Sequence, residues 1–274
     1  MRNIMKKIDF QDFSLAYLHP PANNKTPIIC IHGSWDDHRS WNGVANKLSD
    51  YTLLRYDRRG HSQSSAPKGQ GRLSEDVADV IALLDHLNLQ TAHVLGHSYG
   101  ANVSIVLASR HPERVSSIML LEPPVFSLLQ DENEALRLEA RDLMKQAAMM
   151  IEQGQIEAGA KLFIEKVAFG DKAWHEIFDS QARATILSNA HTWLDQFRDP
   201  DRLAVNVSAL ATFAGQTTLL TGSATLPTYT AVIQKISEQV PRATIRTLAG
   251  AGHGMHISHP ELVAAAVKAH LETV

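Results

Sequence analysis

Short apolar runs alternate with stretches of helical period over most of the 274-residue chain. Phe13 to Leu18, Ile28 to Ile31, Thr52 to Tyr56, His93 to Leu95, Ser117 to Leu121, Thr217 to Thr221 and Thr244 to Leu248 read as strands. Glu75 to Leu87, Ala101 to Arg110, Thr228 to Glu238 and Pro260 to Leu271 read as helices. Alternation of this kind predicts an α/β fold, a mostly parallel, doubly wound sheet covered by helices on both faces, with ligands bound beyond the carboxyl ends of the strands. From Phe126 to Val205 the alternation stops, and long helical runs rich in Glu, Ala, Leu and Met take over, with Gly154 and Gly170 as helix boundaries. A helical cap at residues 126–205, inserted into a core of residues 1–125 and 206–274, is the expectation. Met144, Met149, Met150, Trp174, Phe178, Trp193 and Phe197 supply its apolar surface. Singly, each is explained by packing within the cap; together they suit a roof over an apolar substrate, with Trp174 and Trp193 as candidate contacts.

One turn within this pattern carries chemistry. Gly96-His97-Ser98-Tyr99-Gly100 joins a strand to a helix, the arrangement of a nucleophile elbow. A serine hydroxyl is a weak nucleophile until a tight turn exposes it beside a base and beside donors for an oxyanion. The glycines on either side remove side chains that would collide where the strand turns into the helix.

Composition narrows the alternatives. A chain of this length with 44% hydrophobic residues buries a full core. Its formal net charge of -3, without a basic run, points away from nucleic acid and acidic membrane surfaces. Cys30 is the only cysteine, lies within an apolar stretch and reads as a buried structural thiol, not a nucleophile. Met1 to Phe10 has basic residues but no apolar region behind them, and no segment is apolar for long enough to span a bilayer, so a cytoplasmic setting is expected.

Three further pieces accompany the elbow: His32-Gly33-Ser34-Trp35 after one strand, Tyr56-Asp57-Arg58-Arg59-Gly60 after the next, and Gly250-Ala251-Gly252-His253-Gly254 before the final helix. In order and spacing, over essentially the whole chain, they resemble the α/β-hydrolase superfamily. The resemblance makes Ser98 the nucleophile and His253 the general base. It places the oxyanion hole at the backbone N–H groups of Tyr99 and Ser34, with Trp35 as alternative donor or pocket wall. Asp57 reads as structural, tied with Arg58 or Arg59. His97 is expected to pack beneath the turn. His256 and His259 read as solvated loop residues, since no carboxylate or cysteine cluster completes a metal site.

The acid departs from the commonest pattern of the superfamily. Where many relatives carry an aspartate, this chain reads Gly222-Ser223-Ala224-Thr225-Leu226-Pro227, and no Asp or Glu occurs between Arg202 and Ser237. Glu122 is the candidate, at the end of the strand Ser117 to Leu121 and followed by Pro123-Pro124. Haloalkane dehalogenases and some lactone hydrolases of the superfamily use a carboxylate there; Asp36 and Asp37 are the alternatives. Because the elbow holds serine, the resemblance implies an esterase or lactonase acting through an acyl-enzyme on a largely apolar small molecule. No metal or organic cofactor is required. A ligand-binding receptor of the same fold, a carbon–carbon bond hydrolase and a cofactor-free perhydrolase are the competing readings. The amphipathic cap fits against the core or a second subunit, leaving the oligomeric state open.

Overall fold

The computed structural model describes residues 5–20 and 25–274. Eight strands, β1 (Lys6–Asp9), β2 (Ser14–Leu18), β3 (Ile28–Ile31), β4 (Leu53–Tyr56), β5 (Ala92–His97), β6 (Val115–Leu121), β7 (Gln216–Gly222) and β8 (Thr244–Leu248), form one sheet in the order β1-β2-β4-β3-β5-β6-β7-β8. The β1–β2 and β2–β4 pairings are antiparallel and the others parallel. Seven of these strands were expected from the hydrophobic pattern. The eighth, β1, lies at the sheet edge with Lys6, Lys7 and Asp9 exposed, so it has no apolar face to betray it.

Among the described residues eleven α-helices accompany the sheet: α1 (Asn42–Lys47), α2 (Leu73–His86), α3 (Tyr99–Arg110), α4 (Glu134–Glu152), α5 (Ile156–Phe163), α6 (Ala173–Glu176), α7 (Ser180–Ser188), α8 (Ala190–Arg198), α9 (Pro227–Gln239), α10 (Met255–Ser258) and α11 (Pro260–Leu271). Successive residues of the central strands serve opposite faces. Ile29, Ile31, Val94, Ile118, Leu120 and Leu219 share a core with α2, α3 and α9. Ile28, Cys30, Leu95, Met119, Leu121 and Leu220 share one with α1 and α11. Coverage on both faces is what makes these strands read as continuous apolar runs. Cys30 is fully buried there, and burial pushes its thiol up to about 12 against the opposing pull of Arg55. That environment suits an inert core residue.

Between β6 and β7 the chain is helical, with α4 to α8 gathered around Ile151, Phe163, Ile164, Trp174, Phe178 and Trp193. Gly154 and Gly170 end helical stretches with φ of +83° and +94°, a region in which glycine alone is unstrained. Met149, expected on the apolar surface, is instead 56% exposed. Trp35, from the loop after β3, inserts its ring into this helical cluster.

The β5–α3 turn is tight enough to dictate its sequence. A Cβ on Gly100 would lie 2.2 Å from the Ile31 carbonyl oxygen and 2.6 Å from that of His32, while one on Gly96 would lie 2.3 Å from Ser104 Oγ. The Gly100 contacts are to backbone at the end of a central strand, which has little room to yield. Gly100→Ala is therefore expected to destabilise the protein by about 1–3 kcal/mol. Urea denaturation reads this as a lower midpoint with an unchanged slope; an unchanged midpoint would mean that the turn has slack the geometry does not show.

Candidate active site

Parallel pairing of β5 with β6 sets His97 opposite Leu121, so Ser98 and Glu122 leave neighbouring strands at one level. The backbone carries the ladder one step further: Ser98 N–H donates to Leu121 O at 2.8 Å, and Glu122 N–H donates to Leu220 O at 3.2 Å. Both residues have positive φ, 52° for Ser98 and 45° for Glu122. Two non-glycine residues held so on adjacent strand ends carry local strain that the surrounding packing must sustain.

Glu122 is fully buried, yet four donors converge on its two oxygens. Thr221 Oγ1 and Gly222 N–H reach Oε1 at 3.0 and 2.8 Å. Thr225 Oγ1 and His253 Nδ1 reach Oε2 at 2.8 Å each. A carboxylate offers about four lone-pair sites, so its capacity is filled. Three of the donors come from the end of β7 and the loop behind it, the segment that lacks an acid of its own. That loop thus holds the carboxylate that β6 supplies.

The bond to Glu122 fixes the proton of His253 on Nδ1 and leaves Nε2 with its lone pair. The ring is 1% exposed and sandwiched. Tyr229 stacks on it at 4.0 Å between centroids, Phe169 meets it edge-on at 5.1 Å, and His97 lies 4.7 Å away. Burial, then the Glu122 charge, push the Tyr229 hydroxyl well above its ordinary range, so Tyr229 faces His253 as a neutral ring. His97 Nε2–H donates to the His253 carbonyl at 2.9 Å. Burial first, and the neighbouring His256 second, hold His97 well below the ordinary histidine value, so it is a neutral tether beneath the turn. Among the described residues Ser98 Oγ has no hydrogen-bond partner.

The loop after β3 runs over the elbow, where a Cβ on Gly33 would lie 3.1 Å from Ser98 Cβ. Its Gly33 carbonyl is held by His32 Nδ1–H at 2.9 Å and by an Arg58 guanidinium nitrogen at 3.1 Å. Because the Gly33–Ser34 peptide is trans, the Ser34 N–H points the opposite way. Neither that N–H nor the N–H of Tyr99, in the first turn of α3, is used in a protein hydrogen bond among the described residues. Arg58 is 1% exposed, pairs with Asp76 at 3.2 Å and donates to the His32 carbonyl at 3.2 Å. Its partner is therefore not Asp57. Nor does Arg59 bind Asp57, pairing instead with Glu75 and Asp79. The buried Asp57 accepts from His38 Nδ1 at 2.6 Å, from His38 N–H and from Gln63 N–H.

A cavity of about 50 Å³ opens at Ser98, with Ser34, Tyr99, Asn102, Trp193, Gln196 and Tyr229 among its walls. Ser34 Oγ–H donates to Gln196 Oε1 at 2.6 Å, joining the loop to α8. Trp35 stacks on Trp193 at 4.9 Å but faces a second cleft of about 330 Å³, which shares Ser34 with the first. Trp174 is 1% exposed inside the helical cluster and lines neither. Asp37 is taken by Arg39 and Ser62, and Asp36 lies 3.7 Å from His256, so neither serves His253. His256 corrects the solvated reading: it is fully buried against Trp41 and His97, while His259 bonds Ser258 near the surface. Thr221, Thr225, Tyr229 and Gln196 escaped the sequence reading, and Arg58 was read only as a partner of Asp57; the missing acid in the loop after β7 alone hinted that something there must hold a distant carboxylate.

Among the described residues no helix is long and apolar enough to cross a membrane. The chain is 36% identical over 103 residues to the dihydrolipoyllysine-residue acetyltransferase component of the acetoin cleaving system of Pseudomonas putida; the match covers 35% of this chain and only 26% of that longer protein. A hydrolase from Pseudomonas aeruginosa PA01 superposes with a TM-score of 0.79 at 24% identity, covering 99% of both chains. The enol-lactonase from Burkholderia xenovorans LB400 superposes with a TM-score of 0.80 at 19% identity, covering 97% of this chain and 100% of that one. At such identities the superpositions establish the fold. Residues 28–266 match the Alpha/beta hydrolase family, and the chain belongs to that family.

Proposed function

We propose that this protein is a serine hydrolase that cleaves a carboxylic ester or lactone through an acyl-enzyme, beneath a cap formed by residues 126–205. The observation that carries the reading is the 2.8 Å contact of Glu122 with His253, one strand from a serine on an elbow. Ser98 attacks the carbonyl carbon while His253 Nε2 takes its proton. The imidazolium so formed is stabilised by Glu122 and returns the proton to the leaving alcohol. The N–H groups of Ser34 and Tyr99 receive the oxyanion, each contributing about 2.7–4 kcal/mol to the transition state. Water, activated by the same histidine, then releases the acid and restores Ser98. Arg58 acts one step back, holding the Gly33 carbonyl so that the Ser34 N–H keeps its direction. The aromatic side chains of Phe126, Phe163, Trp193 and Phe197 among the cavity walls, with the likeness to a lactonase of the same fold, favour an ester or lactone carbonyl as the reacting group.

A fluorophosphonate should add covalently to Ser98, seen as a mass increase on one peptide that is lost in Ser98→Ala; unlabelled Ser98 in folded protein would refute the role. Glu122→Gln keeps the shape but presents an NH₂ group where the oxygen facing Nδ1 stood. His253 then has reason to carry its proton on Nε2, where it can no longer accept from serine. The expected result is a fall in kcat of about 10²–10⁴-fold on a p-nitrophenyl ester, with an unchanged melting profile. A near wild-type kcat would move the acid's role to another residue.

A further inference from the structure

Arg202 is a cation in the Ser98 cavity that makes no ion pair among the described residues. It lines that cavity together with Phe126, Met144 and Phe197, and no acidic side chain shares the wall. Its Nε–H donates to the Phe197 carbonyl at 3.0 Å, and its guanidinium carbon lies 5.2 Å from the Phe197 ring centre. Among the described residues its two terminal nitrogens have no protein partner. Asp199, the nearby carboxylate, is already occupied by the backbone N–H groups of Leu73 and Asp201 at 2.7 and 2.9 Å. Burial pulls the Arg202 value down, with Tyr99 and Asp199 opposing from longer range; a guanidinium nevertheless stays charged. A second open polar group shares this wall: Asn102, 2% exposed, whose Oδ1 has no hydrogen-bond partner.

The same four residues, Arg202, Phe126, Met144 and Phe197, also line an outer cleft of about 680 Å³. They are thus the common wall between the outside and Ser98. Arg137, Arg141 and Lys145 of α4 line that cleft at four-residue spacing, along one side of the helix. Arg137 pairs with Glu134 and Arg141 with Asp142, whereas Lys145 makes no ion pair among the described residues. Four basic and two acidic residues line the cleft of a chain whose net charge is -3, a distribution that draws anions inward.

We propose that Arg202 is the specificity-determining residue of this site: it receives the carboxylate of a substrate whose ester or lactone carbonyl lies at Ser98, with an apolar spacer held by Phe126, Met144 and Phe197. The inference rests on the hydrolase reading above and adds the substrate class, a carboxylate-bearing ester or lactone. A guanidinium fits a carboxylate through two parallel N–H bonds, and the partly dry wall strengthens both.

The test compares mono-4-nitrophenyl glutarate with its neutral counterpart, 4-nitrophenyl methyl glutarate, which has the same leaving group and nearly the same length. At low ionic strength the wild-type kcat/KM should favour the anionic ester by about tenfold or more, the range of a charged hydrogen bond. Raising the salt should shrink the ratio. In Arg202→Gln the ratio should fall by about tenfold, and Arg202→Lys should retain part of it, because lysine keeps the charge but not the fork. Using the ratio cancels any general loss from misfolding. A wild-type ratio of one or below, or a ratio unchanged in Arg202→Gln, would overturn the proposal. If neither ester is turned over, the hydrolase reading fails, and calorimetric binding of monomethyl glutarate to wild type and Arg202→Gln decides the role of Arg202: weaker binding to the variant supports it, and equal binding overturns it.

Discussion

The site depends on one buried contact, the 2.8 Å hydrogen bond between Glu122 and His253. Charge on a side chain with no exposed surface is costly unless every lone pair is met. Here Thr221, Gly222, Thr225 and His253 meet them, and three of those donors belong to one strand end and the loop that follows it. The loop after β7, which carries no acid of its own, thus holds a carboxylate that β6 supplies. From that contact the tautomer of His253 follows, and with it the free Nε2 on which the proposed proton transfer relies.

Around this contact, much of the remaining polar architecture of the interior serves to hold backbone in place. His97 grips the His253 carbonyl, and Arg58 grips the carbonyls of His32 and Gly33. Both are buried residues from motifs close to Ser98 and His253, and both fix peptide planes. Helix α8 completes the enclosure, with Gln196 taking the Ser34 hydroxyl and Trp193 stacking on Trp35. The helical segment is therefore joined to the loop after β3 by a hydrogen bond and a ring stack, so displacement of α8 would disturb that loop.

The parts legible in the sequence were those written in local pattern. Central strands buried on both faces leave apolar runs, and the elbow is spelled out by Gly96, Ser98 and Gly100 over five residues. The place of Glu122 beside His253 was reached by a different route: the absence of an acid after β7 directed attention to a strand-end glutamate. Contacts made across the fold left no such trace. Asp57 lies beside Arg58 and Arg59 in sequence, which suggested a local ion pair, yet its partner is His38, 19 positions away, while the arginines reach α2. Threonine hydroxyls and backbone N–H groups that cradle Glu122 have no signature distinct from ordinary strand residues. Strand β1 was invisible because an exposed edge needs no hydrophobic period.

The most direct measurement of the central contact is the imidazole ¹⁵N spectrum of His253 in the resting protein, assigned with a His253 variant. The expected spectrum shows a proton on Nδ1 that is protected from exchange, and loss of that protected proton when Glu122 is replaced by glutamine. A ring protonated on Nε2, or an Nδ1 proton that persists unchanged without the Glu122 carboxylate, would contradict it.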